Sequence, residues 1–435
     1  MGRKLLKIAV EMMVVLILVF VAGCGKTDNA ETANTKTSAD VTDSPVAEIN
    51  SSKEESEATE DEKSNGSGEE EISEQEIGEE SGEEAKQEPA VVEDGIMDVY
   101  AQYDMRAGTC LSDTMIAESK YSDIIKENFN QITLENLMKP DYILNKDKSI
   151  ETGELTVEFN KNTTALLDWA KSNGMKVRGH VLVWYSQTPD WIFYKEFDKT
   201  KGLVERDTML ARMESYIKQA FEQLELLGYT DIFYAYDIVN EAIMDDGSYR
   251  ECLWKQIIGE DYIWQAFYYA DQYAPESIKL YYNDYNEQFK TKHIVALAQS
   301  LVDDKGRSLI DGIGCQGHLY TKDSIDSYIS TLKAFSALGL DVQITELDVS
   351  LGTWQNILSA TEDTLKQQGQ YYYELINRII EENAAGNTKV SGITYWGFAD
   401  KLSWRRDRSP LLFDGNLVPK YSYYGARQDR VNAGY

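Results

Sequence analysis

Residues 232–241, Ile-Phe-Tyr-Ala-Tyr-Asp-Ile-Val-Asn-Glu, and residues 342–348, Val-Gln-Ile-Thr-Glu-Leu-Asp, decide the fold. Each is an apolar, β-branched and aromatic run that finishes in carboxylates and amides, as a strand does when it is buried along its length and open only at its C-terminal end. Strands are read at 232–239 and 342–349, and further stretches at 108–111, 130–134, 176–183, 278–284, 311–318 and 391–397 read as strands as well. Between them run patterns of helical period at 163–172, 203–227, 262–273, 293–302, 324–338 and 361–382. Alternation of this kind across residues 96–435 predicts an α/β fold, a (β/α)8 TIM barrel with parallel strands.

The polar residues fall at the strand ends. His180 and Trp184 close the third run, Asn240 and Glu241 the fourth, Gln316 and His318 the sixth, Glu346 and Asp348 the seventh, and Trp396 the eighth. In a parallel barrel these ends share one rim, where active sites of this architecture sit. A polar residue can simply mark the point where a strand leaves the core, but that explanation serves one strand better than five.

Glu241 and Glu346 form the strongest chemical pair. Two carboxylates facing each other can cleave a glycosidic bond, one protonating the leaving oxygen and the other attacking the sugar or activating water. Glu346 and Asp348 are two apart on a strand and point to the same side. His318 ends the neighbouring strand, where its imidazole can bridge the two carboxylates and hold Glu346 ionised. The chain has three histidines, and their spacing does not favour a metal site. Cys110, Cys252 and Cys315 show no C-x-x-C spacing, so neither a disulfide framework nor zinc is indicated. No cofactor is expected.

Charge divides the chain. Of the net charge of −31, residues 25–95 carry −18, from 23 Asp/Glu against 5 Lys/Arg. With +2 on residues 1–24, residues 96–435 are left with −15, which offers no basic face to phosphates and excludes a nucleic-acid partner. Residues 24–95 are rich in Glu, Ser and Thr and nearly free of aromatics, so they are expected to form a disordered, self-repelling acidic tether. Ahead of it, Arg3, Lys4 and Lys7 precede the apolar run from Met12 to Ala22 and then Gly23-Cys24. Those 11 apolar residues fall short of the ~20 that a bilayer of ~30 Å requires, so residues 1–23 read as an export signal. Val21-Ala22-Gly23-Cys24 resembles a bacterial lipoprotein cleavage box. That resemblance implies lipidation of Cys24 and an extracytoplasmic location on the bacterial cell membrane.

A second resemblance covers residues 98–430. Leu134-Glu135-Asn136-Leu137-Met138-Lys139, Gly179-His180-Val181-Leu182-Val183-Trp184, Asp237-Ile238-Val239-Asn240-Glu241-Ala242, Tyr281-Tyr282-Asn283-Asp284-Tyr285-Asn286, Asp311-Gly312-Ile313-Gly314, Ile344-Thr345-Glu346-Leu347-Asp348 and Tyr395-Trp396-Gly397 resemble, in order, the successive blocks of glycoside hydrolase family 10, the endo-β-1,4-xylanases. The resemblance implies a retaining, double-displacement mechanism without metal or cofactor, with Glu241 as acid/base and Glu346 as nucleophile. It makes His318 and Asp348 supports of the nucleophile and Asn240 the donor to the sugar 2-hydroxyl. It assigns Glu135, Asn136, Lys139, His180, Trp184 and Gln187 to the non-reducing-side xylose units and Tyr285 to the leaving-group side. Gln316 then lies near the acid, while Trp396 and Trp404 close over the cleavage subsite. The expected partners are xylan and xylo-oligosaccharides, the expected state a monomer.

Some positions depart from the family pattern. Tyr185 stands where histidine is common, Cys315 where methionine is frequent, and Phe398-Ala399 where Val-Thr is usual. Tyr185 puts the environment of the acid/base in question. Two alternatives stay open: a related barrel acting on β-1,4-glucan or on short xylo-oligosaccharides, and a sugar-capturing lipoprotein with no catalytic function.

Overall fold

The computed structural model describes residues 94–435. The expected signal at 1–23, the lipidation site Cys24 and the tether, save its last two residues, lie outside the described residues. Among the described residues no helix is long and apolar enough to cross a membrane.

The eight barrel staves are β1 (Arg106–Leu111), β2 (Gln131–Leu134), β3 (Lys176–Gly179), β4 (Phe233–Asn240), β5 (Lys279–Asp284), β6 (Gly312–Cys315), β8 (Asp341–Ser350) and β9 (Val390–Tyr395), and β7 (His318–Tyr320) continues beyond β6 along the end of β8. Every pairing between them is parallel, and β6–β8 and β9–β1 contacts close the ring. The helices that return the chain between staves are α1 (Ser119–Asn128), α2 (Lys161–Ser172), α3 (Arg206–Leu226), α4 (Tyr262–Tyr273), α5 (Glu287–Ser300), α6 (Ile325–Ser336) and α7 (Glu362–Ala384), and α8 (Tyr421–Ala426) follows the last stave. This is the predicted (β/α)8 barrel, with its apolar core between staves and helices.

The third strand stops at Gly179 rather than at 183, and two further elements differ from the sequence reading for physical reasons. The single run at 311–318 is two segments, β6 and β7, because Gly317 turns with φ +71° and a Cβ there would meet Ile344 Cγ2 at 2.9 Å. The break moves His318 onto β7, where it pairs in register with Asp348 of β8. Helix α5 begins at Glu287 rather than 293. Its first turn hides the charged side chains Glu287 and Lys290, and Lys290 Nζ lies 2.6 Å from Asp284 Oδ1. Apolar periodicity cannot register a turn buried by ion pairing.

The barrel interior is polar at its centre. Arg178 of β3 donates to Gln343 Oε1 of β8 at 2.9 Å and to Asp237 of β4, and its guanidinium lies 4.2 Å from the Tyr281 ring centroid. Glycines make room for neighbouring aromatics: a Cβ on Gly179 would sit 2.4 Å from the Tyr236 ring, which packs outward on Phe221 of α3, and one on Gly312 2.3 Å from the inward Tyr281. The large aromatic on each neighbouring strand thus depends on a missing side chain beside it.

Candidate active site

Glu346 lies on β8, with its backbone N–H bonded to the Gln316 carbonyl at 2.9 Å. Its Oε1 accepts from Asn283 Nδ2 at 2.9 Å, and its Oε2 is 3.2 Å from His318 Nε2. The other imidazole nitrogen, His318 Nδ1, is 2.9 Å from Asp348 Oδ2. Asp348 in turn accepts from Trp404 Nε1 and from Arg405 Nη1, each at 3.0 Å. The alternation of β8 puts Glu346 and Asp348 on one face, and the register with β7 sets His318 between them.

This chain of contacts fixes charge. Burial opposes a protonated imidazole at His318, but the Asp348 charge and the hydrogen bonds to Asp348 and Glu346 outweigh it and push its pKa up to about 9. Burial likewise works against an ionised Glu346, yet the bond from His318 and the charges of His180, His318 and Lys139 hold its carboxyl below the usual range. Asp348 is depressed in the same way, burial being overcome by His318 and Arg405. At neutral pH the site therefore holds an imidazolium between two carboxylates.

Glu241 follows directly on β4, its N–H bonded to the Asn283 carbonyl at 2.9 Å. Its φ is +55°, the left-handed region that a glutamate rarely occupies. Asn240 Nδ2 and Gln316 Nε2 both donate to Glu241 Oε1, at 3.1 and 2.8 Å. Asn283 Nδ2 also reaches Asn240 Oδ1 at 3.0 Å, so one buried amide links the surroundings of both glutamates.

Beside them stands a second polar group. Lys139 Nζ donates to Asn136 Oδ1 at 2.9 Å and Gln187 Oε1 at 2.7 Å, and lies 5.1 Å from the Trp184 ring. Burial lowers the Lys139 pKa, against the pull of Glu346 and Glu135; burial raises that of Glu135, against Lys139. His180 Nδ1 is 3.0 Å from Asp237 Oδ2, and its ring meets Trp396 edge-on at 5.5 Å. Trp404 packs edge-on against His318 at 5.1 Å with half its surface exposed, and Tyr285 accepts from Arg250 Nη2 at 2.8 Å.

Asn283, Asp237, Arg178 and Arg405 were not singled out from sequence. Asn283 and Asp237 had a signal, since each shares its strand's inward alternation with a recognised site residue or core aromatic. Arg405 had none, because it lies 57 positions from the carboxylate it serves.

Residues 95–429 match the model of the family described as Glycosyl hydrolase family 10. The chain is 39% identical over 307 residues to a putative endo-1,4-beta-xylanase of Caldicellulosiruptor saccharolyticus, covering 67% of this chain and 96% of that protein. It is 32% identical to endo-1,4-beta-xylanase B of Butyrivibrio fibrisolvens, over 75% of this chain but only 52% of the longer relative. Among solved structures, the CBM22-1–GH10 modules of a Clostridium thermocellum endo-1,4-beta-D-xylanase, complexed with xylohexaose, superpose with a TM-score of 0.69 at 35% identity, covering 77% of this chain and 67% of that one. The extent of the match, across nearly all of the barrel, means that this chain belongs to glycosyl hydrolase family 10.

Proposed function

We propose that the protein is an endo-1,4-β-xylanase that cleaves with retention of anomeric configuration, through Glu346 as nucleophile and Glu241 as acid/base. The observation that carries this reading is the unequal setting of the two glutamates on one rim: Glu346 in a chain of ion pairs, Glu241 among neutral amides. A nucleophile must stay ionised, and the imidazolium of His318, itself fixed by Asp348, favours that state. An acid/base must gain and lose a proton within one turnover, which a permanent ion pair would hinder.

In the first step Glu241 protonates the glycosidic oxygen while Glu346 attacks the anomeric carbon, forming a covalent glycosyl-enzyme. Glu241 then takes a proton from a water whose oxygen attacks the anomeric carbon, breaking the bond to Glu346, restoring its carboxylate and releasing the sugar with its original configuration. Asn240 is placed to donate to the sugar 2-hydroxyl, and Glu135, Asn136, Lys139, His180, Trp184 and Gln187 offer the donors, acceptors and ring faces that xylose units on the non-reducing side need. Gln316 steadies Glu241, Tyr285 lies toward the leaving group, and Trp396 and Trp404 border the cleavage subsite.

The test is the anomer formed first when xylo-oligosaccharide is hydrolysed in an NMR tube, together with reducing ends released from xylan. A β-anomer from wild type and no reducing ends from Glu241→Ala support the reading; an initial α-anomer overturns it. The protein is further proposed to act as a monomer held on the outer face of a bacterial membrane through lipid on Cys24, with residues 24–95 as a tether to polymeric substrate. Cys24→Ala should then move activity from the membrane fraction to the medium.

A further inference from the structure

Tyr185, at a position where the family commonly carries histidine, is joined to Glu241 through an arginine. The chain after Glu241 doubles back in a hairpin, with an isolated antiparallel bridge between Ile243 and Tyr249 and the Arg250 N–H bonded to the Ala242 carbonyl at 2.8 Å. This returns Arg250 to the acid. Its Nε donates to the main-chain carbonyl of Glu241 at 2.9 Å and its Nη2 to Tyr285 Oη at 2.8 Å, while its guanidinium lies 4.1 Å from the Tyr185 ring centroid. Among the described residues, no carboxylate forms an ion pair with it.

We propose that Arg250 is a positioning residue for Glu241: with the Tyr185 ring packed on its guanidinium, it fixes the carbonyl of this left-handed residue, so that the carboxyl is aimed at the glycosidic oxygen. The left-handed backbone costs about 1–3 kcal/mol and persists only where the surroundings impose it. Here both backbone polar groups of Glu241 are engaged, the N–H by Asn283 and the carbonyl by Arg250. Asn240 and Gln316 both bond Oε1, so the carboxyl is held in place once the backbone that carries it is fixed.

The inference rests on Glu241 being the acid, and the experiment separates the two. Steady-state kinetics of the full chain on xylan and on aryl β-xylobiosides, with either a methylumbelliferyl or a dinitrophenyl leaving group, are compared for wild type, Arg250→Met, Arg250→Lys, Tyr185→Phe and Glu241→Ala. Dinitrophenolate departs without a proton, so kcat/KM on that substrate is insensitive to the acid. Arg250→Met is expected to lose about 10- to 100-fold in kcat/KM on xylan and the methylumbelliferyl substrate, with KM little changed, and to keep the dinitrophenyl rate. Arg250→Lys should recover part of the loss.

Equal losses on every substrate, or none, overturn the inference. If Glu241→Ala shows the leaving-group selectivity and Arg250→Met does not, only the positioning role fails; if Glu241→Ala lacks it, the acid assignment fails as well. Arg250→Lys, which keeps the charge but loses the planar fork of donors, carries the test should Arg250→Met fold poorly, and Tyr185→Phe, which keeps the ring on the guanidinium, should match wild type on all three substrates.

Discussion

Glu346 and Glu241 stand on one rim and share Asn283 as a link, yet their surroundings have opposite character. Around Glu346, His318, Asp348, Arg405 and Lys139 form a lattice of charges that holds the carboxylate ionised. Around Glu241 the contacts to the carboxyl are amides, and the effort of the fold goes into its backbone, bent into a left-handed turn beyond β4. The contrast shows one barrel setting two identical side chains to different tasks by charge on one side and by geometry on the other.

Four substitutions can break or sharpen that contrast. The largest effect is expected from Glu346→Gln, which keeps shape and removes the attacking oxygen: kcat on xylan should fall by about 10⁴-fold or more, measured as reducing ends. Glu241→Ala should lose about 10²- to 10⁴-fold on xylan, the usual range for a general acid, and far less on dinitrophenyl xylobioside. A similar loss of both functions in both variants would mean the two glutamates are not specialised.

Asp348→Asn tests whether charge holds the Glu346 side together. It leaves a buried imidazolium short of one partner, with an expected loss of about 3–5 kcal/mol in stability near neutral pH. The pH dependence has a defined sign. His318 is raised from 6.5 to about 9, so its stabilising contribution is complete below 6.5 and disappears as pH rises through about 9. Glu346 and Asp348 are depressed, so theirs is present above the ordinary carboxylate range, near pH 4, and is lost as pH falls. The gap in thermal midpoint between wild type and Asp348→Asn should be widest between about pH 5 and 6.5 and close on both sides. A pH-independent gap would remove the electrostatic explanation.

The smallest effect belongs to Lys139→Met. The ammonium bonds Asn136 and Gln187 and does not touch Glu241. A lost charged hydrogen bond to sugar is worth about 1.5–3 kcal/mol. KM for xylo-oligosaccharides should rise by about 10- to 150-fold, while kcat falls much less, since Lys139 is the weakest of the charges that keep Glu346 ionised, as initial rates against substrate concentration will show.

Much of the barrel was legible because strand patterns are local. The strand read at 232–239 became β4 within a residue, and that at 342–349 sits inside β8. Spacing alone put Glu346 and Asp348 on one face. The sixth run was legible as a strand but not as two, because the break at Gly317 answers to Ile344 on a neighbouring stave rather than to anything beside it in the chain. The start of α5 was hidden for a similar reason, its buried Glu287 and Lys290 reading as surface residues until Asp284 is set against them.

By itself the sequence determined the alternation of strand and helix, the single rim on which the polar strand ends meet, and the two glutamates presented there. Those follow from periodicity and side-chain type, which act over a few residues. Only the tertiary structure decided that Asn283 links the glutamates, that Arg405 and Trp404 converge on Asp348, and that Arg250 returns to the carbonyl of Glu241. Barrel closure and loop return bring together side chains far apart in sequence, and a hydrogen bond reports distance in space, which local pattern does not encode.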